Sequence, residues 1–343
     1  MRNRNLISLD LAKNTIQIAK ISKHGEVLFN KAQSPTKIKE ILVNTPPSIV
    51  AMEGCGSFHY WGQFAQQCGH EVRGMAPRHV KPYISKQKTD ANDAIGIAVA
   101  AQQIGMSFCP VKSVEQQSIQ SITVVRKALD KQENQLGNQI RALVYEYGIA
   151  IKPTKKALNE AVVIYSASDN DELPTVVKEL LLILKCQYQY TKESLKQVTA
   201  QLEQIVKHND ECKRLMNLEG IGVVTAAGLV ANLSKGSNFQ NGREASVYMG
   251  VTPKQYSSGG KVVMLGIDKR AGDKQLKSNL YMGALSYISK LPPVAKTNKQ
   301  QWLINLVQRA GVKKACIALV NKNIRTAWAM LKYSTEYKVV TEI

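Results

Sequence analysis

No two of the six cysteines stand in a CxxC spacing: Cys55, Cys68, Cys109, Cys186, Cys212 and Cys316 are scattered along 343 residues. That distribution argues against a zinc site and against a disulfide framework, and it fits a reducing compartment. Long apolar runs are also missing, since no stretch reaches the roughly 18 uninterrupted apolar residues of a membrane-spanning helix. The opening MRNRNLISLDLAKN breaks its short apolar run at Asp10 and holds no secretory h-region. The expectation is a soluble intracellular protein. The third scarcity is acid, with 26 Asp+Glu against 46 Lys+Arg and a formal net charge of +20. Such a surplus favours a polyanionic partner, nucleic acid above all. It is uneven, for residues 251–343 carry 16 Lys+Arg and 4 Asp+Glu, whereas residues 1–104 carry 13 and 7. Anion binding is therefore expected to be strongest in the C-terminal third.

At 44% hydrophobic residues the chain can bury a core, which excludes wholesale disorder, and its length suits two or three domains. The first hundred residues alternate short apolar runs with helical patterns. LISLDL, IQIAKIS, VLFNKAQ, SIVAMEG and HEVRGMA predict strands; TKIKEILVNT, HYWGQFAQQCG and DANDAIGIAVAAQQIG predict helices. Strands interleaved with helices indicate an α/β domain. Two long helical tracts follow. Ile119, Ile122, Leu129, Leu136, Ile140, Leu143 and Tyr147 recur at helical spacing. So do Val177, Leu181, Leu184, Tyr188, Leu195, Val198, Leu202 and Ile205. Such stripes predict a coiled-coil hairpin with its loop near SASDNDELP, or equally the core seam of a bundle within one chain. After Met216, LEGIGVVTAAGLVANL places a Gly-x-Gly turn before a small-residue helix, the pattern of a helix-hairpin-helix unit. The N-terminus of such a helix can grip a phosphate. The remainder reads as mainly helical.

Four carboxylates fall in a suggestive order. Asp10 lies in the first strand on the side of Ser8, Glu53 ends the apolar run SIVAM, and Asp90 and Asp93 sit three apart at a helix start. Singly, each suits a solvated strand end or a helix cap. Together they follow the order of an RNase-H-like domain. Hard oxygen ligands hold Mg²⁺, and two such ions about 4 Å apart can clamp a phosphodiester on its attacking and leaving oxygens. Far downstream, QYSSGGK sets Ser257 and Ser258 beside Gly259, Gly260 and Lys261. It reads as an ordinary glycine-rich turn or as a place to hold a phosphate.

The segment AMEGCGSFHYWGQFAQQCGHEVRGMAPRHVKPYISKQKTDANDA resembles the N-terminal domain of the DEDD transposases of the "insertion sequence one-ten" family, in its "eleven-eleven" subgroup. VKSVEQQ, NQIRALVYEYGI, FQNGREASVYMGVTPKQYSSGGK, LGIDKR and VNKNIRTAWAMLKY extend the resemblance over nearly the whole chain. It implies an α/β RNase-H-like (RuvC-like) metal domain over 1–108, a helical coiled coil over 109–212, and a mainly α C-terminal transposase domain over 213–343. Asp10, Glu53, Asp90 and Asp93 are then ligands of a divalent metal, Mg²⁺. Ser258 is the nucleophile that forms a covalent bond to DNA, with Ser257 its neighbour. Lys261, Lys269, Arg270 and Lys277 neutralise phosphate where Gly259 and Gly260 let backbone approach. Donor and target DNA, a structured guide RNA and a homo-oligomer of two or four copies are the implied partners, in the prokaryotic cytoplasm at the nucleoid. Two departures stand out: Ala271 is an extra residue before Gly272-Asp273, and Lys277 replaces the usual arginine. A point charge does not reproduce a bidentate guanidinium grip. Rival expectations are a junction-resolving metal nuclease that uses water, and a non-catalytic nucleic-acid scaffold.

Overall fold

The computed structural model describes residues 4–84, 87–167, 171–236, 238–268 and 270–339, which fold as two compact units, 1–116 and 117–343. The first unit is built on a mixed sheet. Strands β1 (Leu6–Asp10), β2 (Ile16–Ile21) and β3 (Val27–Gln33) form an antiparallel meander. After helix α1 (Pro35–Val43), strand β4 (Ile49–Glu53) returns parallel to β1; after α2 (Phe58–Gln67), β5 (Glu71–Met75) lies parallel to β4. The strand order is β3-β2-β1-β4-β5. A short helix α3 (Pro77–Val80) and helix α4 (Asp90–Ala100) complete the unit.

Both faces of β1 and β4 are covered, which explains their continuous apolar runs. Period-two alternation sends Ile7, Leu9, Val50 and Met52 into one core with Ile38, Leu42 and Trp61 from α1 and α2. Leu6, Ile49 and Ala51 face the other way, into a core with Val80 of α3 and Ile97, Ala98 and Ala100 of α4. The predicted strands and helices of this unit are all present, with ends trimmed by a few residues.

The second unit begins with α5 (Val114–Tyr145), α6 (Lys155–Tyr165) and α7 (Thr175–His208). The two long helices run antiparallel: Arg126 Nε donates to Thr199 Oγ1 at 3.1 Å, and Tyr188 OH to Glu133 Oε1 at 3.5 Å. The loop expected near SASDNDELP, of which residues 168–170 lie outside the described residues, is preceded by an unanticipated helix, α6. Its Leu158 and Val162 close a core with Leu136, Ile140 and Val144 of α5 and Val177, Leu181 and Tyr188 of α7. At the other end Ile119 and Leu202 join a different core. Most of the predicted stripe is therefore covered within the chain, as the bundle alternative requires, while Tyr147 at its end is exposed.

That second core gathers α8 (Asp210–Leu215), α9 (Val223–Leu233), α10 (Gly242–Tyr248), α11 (Lys274–Ile288), α12 (Asn298–Ala310) and α13 (Val312–Tyr333). The Gly-x-Gly turn joins α8 to α9. A Cβ on Gly220, at φ +74°, would stand 2.5 Å from the Gly283 carbonyl oxygen, so two backbones cross at contact there. Beside it, Lys299 is buried against Glu219 and donates to Asn323 Oδ1 at 2.9 Å, while Tyr337 OH donates to Glu219 Oε1 at 2.7 Å. The region is mainly helical as expected, with one exception. Between α10 and α11, β6 (Pro253–Ser258) and β7 (Lys261–Ile267) form an exposed antiparallel hairpin. Among the described residues no helix is long and apolar enough to cross a membrane.

Candidate active site

Asp10 and Glu53 are the last residues of two adjacent parallel strands, whose register pairs Leu9 with Met52. Alternation therefore directs both side chains to the sheet face covered by α4. That helix starts at Asp90, where the Thr89 hydroxyl accepts a hydrogen bond from Asn92 N–H, so Asp90 and Asp93 both fall in its first turn. Acids are favoured there because the unpaired N–H groups carry partial positive charge. A partly buried polar relay ties this turn to the sheet. Gln17, the cross-strand partner of Asp10, donates to Asn30 Oδ1 at 2.7 Å, and Asn30 donates to the Ala91 carbonyl at 2.9 Å. Sequence reasoning missed this relay. Its one signal is a polar glutamine inside the apolar run IQIAKI.

The four carboxylates converge closely enough to affect one another. Burial first, then the charges of Asp93 and Asp90, hold the Asp10 carboxyl above its ordinary value; Lys88 opposes them. Burial, then Asp10 and Asp93, does the same to Glu53. Among the described residues, Asp93 Oδ1 is fully buried with no hydrogen-bond partner, and so is Ser8 Oγ on the same face. An orphaned carboxylate oxygen costs roughly 1–3 kcal/mol or more, so a cation is the chemically fitting complement. The half-buried Asp10, Glu53 and Asp93 and the exposed Asp90 are all oxygen donors of the kind that Mg²⁺ prefers. Among the described residues, no three His, Cys, Asp or Glu side chains stand in ready-made ligating geometry.

The serines lie in the second unit. Ser258 ends β6 and pairs with Lys261 across a two-residue turn, with Gly259 at φ +53° and Gly260 at φ +77°. Positive φ at both central positions is the turn that matches strand twist, and glycine takes it without strain. Ser257, Ser258 and Lys261 are exposed, and Gln255 Nε2 donates to Ser257 Oγ at 2.9 Å. The expected turn is present. The strands flanking it were not anticipated, because an exposed two-stranded ribbon has no buried face to impose alternation.

Arg270 is exposed, and its N–H donates to Asp268 Oδ1 at 2.8 Å, which holds that carboxyl below its usual range. Lys277 donates to the carbonyls of Asp268 and Ala271, at 2.8 and 2.7 Å, and so ties this loop to α11. The extra Ala271 is buried, its carbonyl pressed against Gly250. Lys269 lies outside the described residues.

An α/β unit with a converging acidic cluster, in a chain that also carries a basic helical unit, defines a class of proteins that act on nucleic acid. Comparison with known proteins narrows this class. The family model of the IS110 DEDD transposases, described as "Transposase", matches residues 7–149, and that of the "Transposase IS116/IS110/IS902 family" matches residues 212–300. The chain is 35% identical to the "Probable family 20 transposase" of Pseudomonas aeruginosa, over 98% of this chain and 99% of that one. It is 32% identical to the "Transposase for insertion sequence element IS1111A" of Coxiella burnetii, over 98% and 92%, and 31% identical to the "Transposase for insertion sequence element IS1328" of Yersinia enterocolitica, over 98% and 99%. The chain belongs to the IS110 family of insertion-sequence transposases, a membership that implies DNA cleavage and joining.

Proposed function

We propose that this transposase is a serine DNA recombinase with an RNase-H-like (RuvC-like) metal domain. Asp10, Glu53, Asp90 and Asp93 would hold divalent metal, Mg²⁺ by preference, which polarises phosphate oxygens and lowers the pKa of a coordinated hydroxyl or water. The observation that carries this reading is the convergence of these carboxylates, one with an orphaned buried oxygen, in a chain of net charge +20. Without cations, an acidic cluster would repel the polyanion that the rest of the protein attracts.

Ser258 Oγ attacks the scissile phosphorus. The serine O–P bond forms, the bond to the leaving DNA oxygen breaks, and the serine proton passes to a base or to that departing oxygen. The product is a seryl–DNA phosphodiester, which conserves the bond so that a second DNA hydroxyl can displace serine and rejoin the strands. Gly259 and Gly260 leave open space beside the turn for a phosphate. Lys261, Lys269 and Arg270 are the cations we assign to neutralise it, while Lys277 shapes the loop from which Arg270 projects.

A structured guide RNA and assembly into two or four copies complete the proposal. Support for assembly comes from α7, where Val176, Leu180, Ile183 and Tyr190 form an exposed apolar stripe apart from the buried seam. The decisive experiment is trapping of a covalent protein–DNA adduct. An adduct from wild type, lost in Ser258→Ala, supports the serine pathway. Chelator-sensitive cleavage without any adduct would assign the activity to a water-using nuclease, and DNA binding without cleavage to a scaffold.

A further inference from the structure

The hairpin that presents Ser258 overhangs a cleft with no assigned role. Its floor is α12 and α13, its roof is Met264 to Ile267 of β7, and its volume is about 1360 Å³. Pockets for small molecules span about 300–1,000 Å³, so this cleft suits part of a polymer better than a metabolite. Its charge is one-sided. Lys313, Lys314, Lys322 and Arg325 line it, all exposed, and among the described residues none of its lining is acidic. Between the cations the walls are apolar, with half-buried Trp302 on the α12 side. Lys322 Nζ lies over that indole, 4.6 Å from its centroid, so a base that stacks there takes the lysine's place on the ring and leaves its charge for a phosphate.

Cations interleaved with an aromatic face suit a nucleic-acid strand whose bases are unstacked; a duplex already stacks its bases and offers a phosphate exterior. The cleft lies along the hairpin from the proposed nucleophile. Ser258 pairs with Lys261 at the tip and Gln255 with Met264 at the cleft wall. That separation of three residues is about 10 Å at the rise of a strand. At about 3.4 Å per nucleotide in a duplex, and more once the bases unstack, it corresponds to about three nucleotides or fewer. We infer that this cleft holds single-stranded DNA next to the scissile phosphate, with a base stacked on Trp302 and phosphates on Lys313, Lys314, Lys322 and Arg325. The choice of DNA rests on the proposed role of Ser258, because the strand that is cut must run past the hairpin that cuts it. Opening the strand here would keep its cut end from re-annealing before exchange.

The test uses nuclease-treated, full-length protein and fluorescence anisotropy with a short mixed-sequence DNA strand, its duplex, and the RNA of the same sequence. Loss of one stacked base predicts that Trp302→Ala weakens single-stranded DNA binding by about 10-fold or more, with duplex binding changed by less than about 3-fold. Trp302→Phe, which keeps a stacking face, should restore most of the affinity. Wild-type affinity in Trp302→Ala, equal losses on duplex and single strand, or tighter binding of the RNA strand would each overturn the inference. So would a Trp302→Ala shift in sedimentation, which would assign the cleft to a second copy of the chain. If Trp302→Ala fails to fold in a melting scan, photocrosslinking of wild type to an iodouracil-substituted DNA strand decides: a crosslink at Trp302 supports the cleft, and crosslinks only elsewhere refute it. The seryl adduct and the affinity for the strand are read in separate assays. An absent seryl adduct therefore defeats the nucleophile reading, whereas unchanged Trp302→Ala affinity defeats the cleft.

Discussion

Asp93→Ala should make the metal-free protein more stable while ending its activity. In wild type the buried Oδ1 of Asp93 lacks a partner among the described residues, and the charge raises the carboxyls of both Asp10 and Glu53. Relief of an unsatisfied buried acceptor is worth about 1–3 kcal/mol. Against it stands the loss of a favourable acid in the first turn of α4, worth about 0.3–1 kcal/mol. The net expectation is a gain of about 1–2 kcal/mol in chelator, a rise in Tm of several degrees for a unit of this size. Magnesium should reverse the order. A ligand at 100 times its Kd adds about 2.7 kcal/mol to a protein that binds it only when folded, so wild type should overtake the variant. Differential scanning calorimetry with EDTA and then with millimolar Mg²⁺ reads both effects. The pH dependence adds a check of sign. Because the folded state holds the Asp10 and Glu53 protons to higher pH than the unfolded chain, metal-free stability should fall as pH rises from about 4 through the raised values. Above them it should be level, and the whole decline should be shallower in Asp93→Ala. A variant less stable than wild type in EDTA, or equal stabilisation of both by Mg²⁺, would refute the reasoning.

Gly259→Asn should keep strand cleavage, since asparagine tolerates the left-handed region, whereas Gly259→Val should cost the turn about 1–2 kcal/mol and lower cleavage sharply in a gel assay. Gln17→Ala removes the relay to the Asp90–Asp93 turn without touching a proposed ligand; a loss of about 0.5–1.5 kcal/mol in stability, together with slower cleavage and weaker Mg²⁺ dependence, is expected. If α7 mediates the proposed assembly, Leu180→Glu with Ile183→Glu should lower the sedimentation coefficient to that of a smaller, still folded species, since both positions are exposed. Lys299→Ala should destabilise the second unit by about 3–5 kcal/mol, as it strands the buried Glu219 carboxylate, and the loss should show in urea unfolding.

Much of the first unit was legible because its forces are local or periodic. A strand buried on both faces must be apolar throughout, so LISLD and IVAME announce themselves, and a polar residue at the end of either becomes conspicuous. Asp10, Glu53, Asp90 and Asp93 could therefore be named from order and residue type alone. The helical stripes were equally plain, but whether a second copy or the chain itself would cover them was not. An a/d pattern reports a face that must be buried and carries no information on its occupant. Helix α6 decided the distal end, and α8 to α13 decided the other.

Beyond the motifs that carry the family resemblance, the α/β unit followed by helices, the surplus of positive charge and the identity of the candidate ligands were all legible in the chain. They were so because hydrophobic period, charge and residue chemistry are properties of the chain before it folds. Tertiary structure alone decided three things. It set the β1–β4 register that turns Asp10 and Glu53 to one face, and it brought Gln17, Asn30 and Ala91 into a relay across two strands and a helix. It also raised the exposed hairpin over a basic, Trp-walled cleft formed with α12 and α13, more than thirty residues downstream. Each of these depends on contacts between residues distant in the chain. Such contacts form only when loop entropy has been offset by the burial of a common core, and no local pattern encodes them.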